Sequence, residues 1–353
     1  MPGSMSKTSS GRFFEDFDLG EVIVHATPRT VTAGDVALYT ALYGSRFAVQ
    51  SAESFAQAIG YPAMPVDDVL VFHIVFGKTV PDVSLNAVAN LGYADGRFLR
   101  PVFVGDTLAT TSEVIGLKQT SSGDAGIVYV RSIGRNQHHE IVLSYARWVL
   151  VRKRHPGTPA HAEQLPDLPV AVLPEELGEG CPPIDLAAYD DALAGSRFRW
   201  GDYAAGERID HVDGVTVEEA EHQLATRLYQ NTARVHFDAH AAKGSRFGKR
   251  LIYGGHVISL ARALSFNGLG NAFHVAAING GRHVAPLFAG DTVYAWSEVL
   301  ESAELPGRSD VGALRLRLVA TKNLSGAGNP LKDGERYVEG VVLDLDYWAL
   351  LPR

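Results

Sequence analysis

Cysteine is nearly absent from this chain of 353 residues, in which Cys181 is the single one. One thiol forms no disulfide framework within the chain and no cysteine-based metal centre. Apolar residues make up 46% of the sequence, but no apolar run reaches the ~18 residues that a membrane span needs. The polar N-terminus also lacks the apolar segment of a signal peptide. The sequence therefore predicts a cytoplasmic globular protein without a membrane partner.

Positive charge is scarce as well, since 32 Lys and Arg face 40 Asp and Glu and the formal net charge is −8. No basic stripe with interleaved aromatic residues occurs, so we expect no nucleic-acid partner. Metal-ligand spacing is also missing. His236 and His240 lie four residues apart, but Phe237 occupies the place of the glutamate in an HExxH motif. The sequence therefore predicts no metal site.

The sequence does contain an internal repeat. Residues 14–25, FEDFDLGEVIVH, resemble residues 199–211, RWGDYAAGERIDH. Residues 97–114, RFLRPVFVGDTLATTSEV, resemble residues 282–299, RHVAPLFAGDTVYAWSEV. Both pairs occur in the same order and at nearly the same offset along the chain. Because chance rarely produces two such blocks, the pattern predicts a duplicated domain.

The repeat predicts an N-terminal domain at 12–153 and a C-terminal domain at 197–353. Seven prolines fall in the intervening segment 154–196, among them Pro156 and Pro159. Proline at this density is incompatible with a helix or a central strand. We therefore predict an extended linker between the two domains.

Each copy shows the same order of predicted elements: a strand, a helix, an irregular loop, a more apolar helix and several β-rich runs. Apolar residues at helical spacing place the second helix near 67–76 and near 255–267, and Gly77 is predicted to cap the first of these. Thr216 and Glu219 predict a capping box at the first helix of copy two. One buried helix under an antiparallel sheet, built twice, is an α+β fold.

This order, with P-x-F-x-G-D-T in both copies, resembles the MaoC-like enoyl-CoA hydratases of the hotdog fold, in their fused double-hotdog form. The family motif runs Y…G-D-x-N-P-x-H. Residues 229–236, YQNTARVH, keep the histidine as His236 and have Asn231 in place of the aspartate. Residues 43–50, YGSRFAVQ, lack both reactive positions. The resemblance implies a reactive site in the C-terminal domain and a degenerate one in the N-terminal domain.

Within this family the chain resembles members that act on mesaconyl-CoA. The resemblance implies reversible hydration of mesaconyl-CoA to β-methylmalyl-CoA, with no cofactor besides the coenzyme A of the substrate. Adding water to an enoyl thioester requires a base, an acid and donors for the enolate-like oxygen. His236 is predicted to transfer the proton, alone or with a nearby carboxylate. Asn231 is predicted to hold the water, and the Gly255 N–H to bind the oxygen. Gly254 lets the thioester approach closely.

Cations near the motif are candidates for substrate contacts. The loop KGSRFGKR at 243–250 is a candidate for binding the phosphates of CoA or the free carboxylate of a dicarboxylic acyl group, because a guanidinium pairs with carboxylates through a planar fork. A solvated charged loop is the alternative. Arg234 is a second candidate for the carboxylate. The predicted substrate-binding residues are Arg234, Arg246, Lys249, Arg250, Tyr253 and Gly254.

Other functions stay open at this point. A hydratase for monocarboxylic acyl chains has the same motif, and the missing aspartate is compatible with a non-catalytic acyl-CoA-binding protein. A hotdog thioesterase is a further alternative, which releases free thiol rather than changing the absorbance of the conjugated thioester. The fusion supplies the pairing that single hotdogs obtain by dimerising, and a further homodimer is also open.

Overall fold

Ten long strands form one antiparallel sheet that runs through both halves of the chain. The structure is a computed structural model that describes residues 7–158 and 162–353. The first six residues of the polar N-terminus and Pro159 of the predicted linker lie outside the described residues. Among the described residues, no helix has the length and apolar character that crossing a membrane requires.

Both halves have the same succession of one strand, several helices and four long strands. The first half comprises β1 (Val22–Thr30), α1 (Ala33–Tyr43), α2 (Ala48–Ser51), α3 (Glu53–Ala58), α4 (Asp68–Thr79), β2 (Ala87–Phe98), β3 (Thr107–Gln119), β4 (Ala125–Arg135) and β5 (Ile141–Arg152). After α5 (Asp191–Ala194), the second half comprises β6 (Arg208–Thr216), α6 (Glu219–Leu228), α7 (Arg234–Phe237), α8 (Ala239–Ala242), α9 (Gly254–Leu264), α10 (Phe266–Leu269), β7 (His274–His283), β8 (Thr292–Glu304), β9 (Val311–Lys322), β10 (Lys332–Asp333), β11 (Arg336–Tyr337) and β12 (Val341–Pro352).

The two halves join edge to edge in the middle of the sheet, whose strand order is β1-β3-β4-β5-β2-β7-β12-β9-β8-β6. Tyr93 of β2 lies opposite Gly281 of β7, and Arg97 lies opposite Ala277. This junction covers the strand edge that each half alone would expose. A buried helix under an antiparallel sheet in each half confirms the predicted α+β double hotdog.

Equivalent hydrogen bonds recur in the two halves. His25 Nε2 lies 2.8 Å from Ser112 Oγ, and His211 Nε2 lies 2.8 Å from Ser297 Oγ. Both histidines belong to the repeated blocks, and each bond joins the first strand of a half to the strand beside it. The structure therefore confirms the duplication.

The central helices α4 and α9 pack against each other beneath the sheet. Every residue of α4 from Val69 to Thr79 is buried, as expected for a helix that is apolar on most faces. Ser259 of α9 links the halves, because its hydroxyl lies 3.1 Å from both the Tyr39 hydroxyl and His73 Nε2. Helix α9 is thus held in place by side chains of the first half.

The segment between the halves packs onto the second half. The Val172 N–H donates to Asn279 Oδ1 at 2.9 Å, and Trp348 Nε1 donates to the Val172 carbonyl at 3.0 Å. Cys181 of this segment is buried, and the Tyr61 hydroxyl lies 3.4 Å from its sulfur. The linker boundaries at 154 and 196 stay a prediction.

Two local predictions were wrong. Thr216 ends β6, and its hydroxyl lies 2.8 Å from that of Thr292 on the neighbouring strand, so no capping box forms with Glu219. Gly77 does not cap a helix but lies inside α4. A Cβ at Gly77 would lie 1.8 Å from the Tyr229 carbonyl oxygen, so the glycine permits a close approach between the halves.

Candidate active site

A cavity of about 760 Å³ lies between the two halves. Its volume is typical of small-ligand and cofactor sites. Among the described residues that line it there is no Asp or Glu, whereas four are arginines. These are Arg147, Arg152, Arg234 and Arg246. The cavity is therefore suited to an anionic ligand.

His236 lies in α7, a single helical turn, and lines the cavity. Its Nδ1 lies 2.8 Å from the Leu251 carbonyl oxygen. Because a carbonyl only accepts, Nδ1 carries the proton and Nε2 has a free lone pair. Burial lowers the pKa of His236 to about 4, although the bond to Leu251 opposes the shift. The imidazole is therefore neutral at neutral pH, and Nε2 has no hydrogen-bond partner among residues 7–158 and 162–353.

Asn231 lies in the turn that precedes α7 and also lines the cavity. Only 5% of the residue is exposed, and its Oδ1 accepts a hydrogen bond from the Ala233 N–H at 3.0 Å. Gln230 has the left-handed φ of 54° that reverses the chain after α6. The turn thus places Asn231 and His236 on the same cavity, as the motif predicts.

Helix α9 begins at Gly254, directly after Tyr253. The Tyr253 N–H donates to His222 Nε2 at 2.8 Å, which fixes the start of the helix. The N–H groups of Gly254 and Gly255 follow, and no carbonyl of their own helix precedes them. Gly254 lines the cavity, and a Cβ there would lie 2.4 Å from the His283 ring. Gly255 is buried one residue further along the helix.

The predicted cations occupy two kinds of position. Arg234 and Arg246 are exposed and line the cavity. Lys249 and Arg250 do not line it. The Lys249 Nζ lies 4.2 Å above the Phe288 ring, and Arg250 forms an ion pair at 3.1 Å with Glu219.

The corresponding positions of the first half have structural partners. Gln50 Nε2 donates to the Phe273 carbonyl at 2.7 Å. At the start of α4, the Asp67 carboxylate accepts from the Val69 N–H at 2.9 Å. Burial and the neighbouring Asp68 raise the pKa of Asp67 to about 6. A carboxylate therefore occupies the helix start that in α9 faces the cavity, which supports the prediction of a degenerate first site.

Several polar residues that line the cavity were not predicted, among them His283, Tyr93 and Arg147. His283 Nε2 lies 3.0 Å from the Tyr93 hydroxyl, and burial lowers the pKa of His283 to about 4. Tyr93 and Arg147 lie opposite each other on β2 and β5. Of His283, Tyr93 and Arg147, only His283 could have been noticed in the sequence. It lies in the repeated block, where the first copy has Phe98 at the equivalent position.

The chain is similar over nearly its whole length to known proteins. The family model for mesaconyl-CoA hydratase matches residues 4–338. The chain is 61% identical over 349 residues to a β-methylmalyl-CoA dehydratase of Chloroflexus aurantiacus, covering 99% of each chain. It is 60% identical over 351 residues to a mesaconyl-CoA hydratase of Cereibacter sphaeroides, covering 98% of this chain and 100% of the relative. A solved MaoC-domain dehydratase from Chloroflexus aurantiacus matches with a TM-score of 0.96 and 60% identity over 99% of both chains.

The double hotdog and its histidine-containing cavity define a MaoC-like hydratase. The match over nearly the whole chain is more specific, and the chain belongs to the mesaconyl-CoA hydratase family. The predicted enzyme class, a hydro-lyase for acyl-CoA thioesters, is thereby confirmed.

Proposed function

We propose that the protein hydrates mesaconyl-CoA reversibly to β-methylmalyl-CoA, with His236 as both base and acid. The observation that carries the proposal is the unprotonated Nε2 of His236 in an arginine-lined cavity. The two curated relatives are named for opposite directions of this reaction, which supports reversibility in this protein as well. The reaction needs no group besides the coenzyme A of the substrate.

Water is bound between His236 Nε2 and C3 of the acyl group, the carbon that carries the free carboxylate. Nε2 takes a proton as the water oxygen bonds to C3, and the electrons of the C2–C3 double bond move onto the thioester oxygen. The imidazolium then gives its proton to C2. One water is consumed, and the neutral histidine is restored.

The substrate itself strengthens this base. A histidine whose pKa is about 4 is a weak base in the free protein. The substrate carboxylate adjoins C3 and therefore lies close to the ring, where its negative charge favours the imidazolium and raises the pKa. A dicarboxylic thioester thus activates His236 more than a monocarboxylic one does.

Backbone and amide groups complete the proposed chemistry. Asn231 Oδ1 is bonded to the Ala233 N–H, which leaves Nδ2 as a donor for the water oxygen. The N–H groups of Gly254 and Gly255 bind the thioester oxygen, because developing negative charge is stabilised at a helix N-terminus. Tyr253 fixes the helix start through its bond to His222.

Exposed cations beside the cavity bind the coenzyme. Arg234 and Arg246 combine exposure with a place in the cavity wall, which suits the phosphates of CoA. Lys249 and Arg250, in the same loop as Arg246, contribute positive charge at longer range. A cytoplasmic location and a homodimer stay predictions from the sequence.

The first measurement is the hydration rate of mesaconyl-CoA, followed by the absorbance of the conjugated thioester. His236→Ala should lower kcat by about 10²–10⁴-fold, the usual contribution of a general acid–base. Gln50→Ala changes the corresponding position of the first half and should retain turnover. Equal losses in both variants would contradict a single reactive half. Tight binding of acyl-CoA by the wild-type protein without turnover of any enoyl-CoA would mean that the protein only binds.

A further inference from the structure

Arg147 is a fully buried cation in the cavity wall, 1% exposed. Its Nη2 donates to Thr79 Oγ1 at 2.7 Å and lies 3.3 Å from Ser84 Oγ. Its guanidinium lies 4.3 Å above the Phe76 ring. Nε and Nη1 are buried and have no hydrogen-bond partner among the described residues. Two of the three guanidinium nitrogens are therefore left without an acceptor.

The charge of Arg147 is also uncompensated. Within the described part of the chain no carboxylate forms an ion pair with it, and its electrostatic neighbours are Tyr145, Tyr93 and Tyr253. Burial accordingly lowers the pKa of the guanidinium. Buried charges in proteins are normally paired, because removing a charge from water costs several kcal/mol. A cation in this state next to a cavity indicates that its partner is a ligand.

The fold does not require this arginine. Tyr93 and Arg147 pair across β2 and β5, and the equivalent pair in the second half is Ile278 and Tyr347 across β7 and β12. The same sheet position is therefore filled by an uncharged side chain in one half and by a cation in the other. Only the cation lines the cavity.

Asn90, in the same wall, is a second residue with buried polar atoms that have no partner among the described residues. Both its Oδ1 and its Nδ2 are buried without a hydrogen bond to any described residue. Asn90 pairs with Val149, two residues from Arg147 on β5. Diagonal neighbours on one sheet face lie about 7–8 Å apart, within reach of long side chains. The amide and the guanidinium can therefore approach one ligand group.

We propose that Arg147, assisted by Asn90, binds the free carboxylate of a dicarboxylic acyl-CoA and selects this substrate class. A planar carboxylate satisfies two guanidinium N–H groups at once and neutralises the buried charge. The first half, which lacks the reactive histidine, thus supplies the specificity determinant, and the second half supplies the chemistry. The inference rests on the proposed hydratase function and assigns to Arg147 the carboxylate role considered for Arg234 and Arg246.

Binding of two unreactive analogues tests the inference without catalysis. 2-Methylsuccinyl-CoA and 2-methylbutyryl-CoA differ only by a carboxylate in place of a methyl group. Titration calorimetry with the full chain should give tighter binding of 2-methylsuccinyl-CoA to the wild-type protein. Arg147→Met should weaken that binding by about 100-fold, a loss typical for one partner of a buried charge pair, and leave 2-methylbutyryl-CoA within about threefold.

Further variants separate recognition from folding. Arg147→Lys keeps the positive charge but loses the planar pair of N–H donors. This variant should fold and should lose part of the preference for 2-methylsuccinyl-CoA over 2-methylbutyryl-CoA. Asn90→Leu should lose less preference than Arg147→Met. Arg100→Met removes an exposed arginine outside the cavity wall and should leave both affinities unchanged. Equal weakening of both analogues in Arg147→Met, or an unchanged preference in both Arg147 variants, would overturn the inference.

Turnover distinguishes this inference from the proposed function. Tigloyl-CoA is mesaconyl-CoA with a methyl group in place of the carboxylate. Wild-type protein that hydrates neither compound would refute the proposed function. Wild-type protein that hydrates mesaconyl-CoA, with Arg147→Met keeping the same ratio of kcat/KM values for the two substrates, would refute only the role of Arg147.

Discussion

Asn231 stands where the family motif has aspartate, and the charges of the proposed substrate explain the exchange. The side chain is buried and lines the same cavity as His236. An aspartate there would face the substrate carboxylate that adjoins the attacked carbon. Asn231→Asp should therefore lower kcat/KM for mesaconyl-CoA by at least about 10-fold, since like charges in a desolvated site repel by more than ~1.4 kcal/mol.

Tigloyl-CoA is the control for this prediction, because it has no free carboxylate to repel the new charge. Its kcat/KM should fall less than that of mesaconyl-CoA in Asn231→Asp. A gain in mesaconyl-CoA turnover would instead mean that the motif aspartate is a missing base, and charge repulsion would not explain the asparagine.

The sequence predicted the residues that share a motif and missed those that the sheet brings together. His236 and Asn231 lie five positions apart, so one motif located both of them on the cavity. Arg147 belongs to β5 of the other half and reaches the cavity only because the two halves fold together. Nothing in the residues next to Arg147 indicates that its charge lacks a partner. That property exists only in the folded protein.

Gly77 shows at the scale of elements how tightly the halves meet. A Cβ at this position of α4 would lie 1.8 Å from the Tyr229 carbonyl oxygen, which belongs to the second half. Gly77→Ala must move backbone rather than a flexible side chain. It should lower the free energy of unfolding by about 1–3 kcal/mol or more, the usual cost of overpacking. Urea denaturation measures this change.

Gly201→Ala is the matched control, because a Cβ at Gly201 would meet nothing within 4 Å. Surface substitutions of this kind usually change stability by less than about 0.5 kcal/mol. If Gly77→Ala were as stable as Gly201→Ala, α4 would have room to shift, and the close approach would not constrain the fold.

The elements themselves were predictable where one periodicity dominates. The buried helices predicted near 67–76 and 255–267 are observed at Asp68–Thr79 and Gly254–Leu264, because apolar residues at helical spacing identify a buried helix. The capping box at Thr216 failed for a different reason. A threonine hydroxyl can cap a helix or form a hydrogen bond to a threonine on the neighbouring strand. In the structure, Thr216 forms the bond across the strands, to Thr292.

At the scale of the whole molecule, five neutral histidines surround the site. Burial lowers the pKa of each, to about 3 for His73 and His256 and to about 4 for His236 and His283, and it also lowers that of His222. His256 Nδ1 lies 2.8 Å from the Tyr43 hydroxyl, and His73 Nε2 lies 3.1 Å from Ser259 Oγ. Both contacts cross between the halves, so the cluster, like the cavity, depends on both copies.

This cluster predicts that the protein loses stability in acid. An unfolded histidine has a pKa near 6.5, whereas these five have lower values in the folded state. Between about pH 6.5 and pH 4 the unfolded chain therefore binds more protons, and the free energy of unfolding falls as the pH falls. Each such histidine contributes about 1.4 kcal/mol per pH unit at full effect. Urea denaturation at several pH values measures how the free energy of unfolding changes with pH. The slope should correspond to the uptake of about three or more protons on unfolding.

Two variants test whether the histidine cluster causes this pH dependence of the free energy of unfolding. His256→Gln removes one buried histidine and should lower the proton uptake on unfolding by about one. His138→Gln removes an exposed histidine outside the cluster and should leave the slope unchanged. An uptake below one proton in the wild-type protein would contradict the neutral cluster. It would also contradict the mechanism, because His236 belongs to the cluster and must be neutral to take a proton from water.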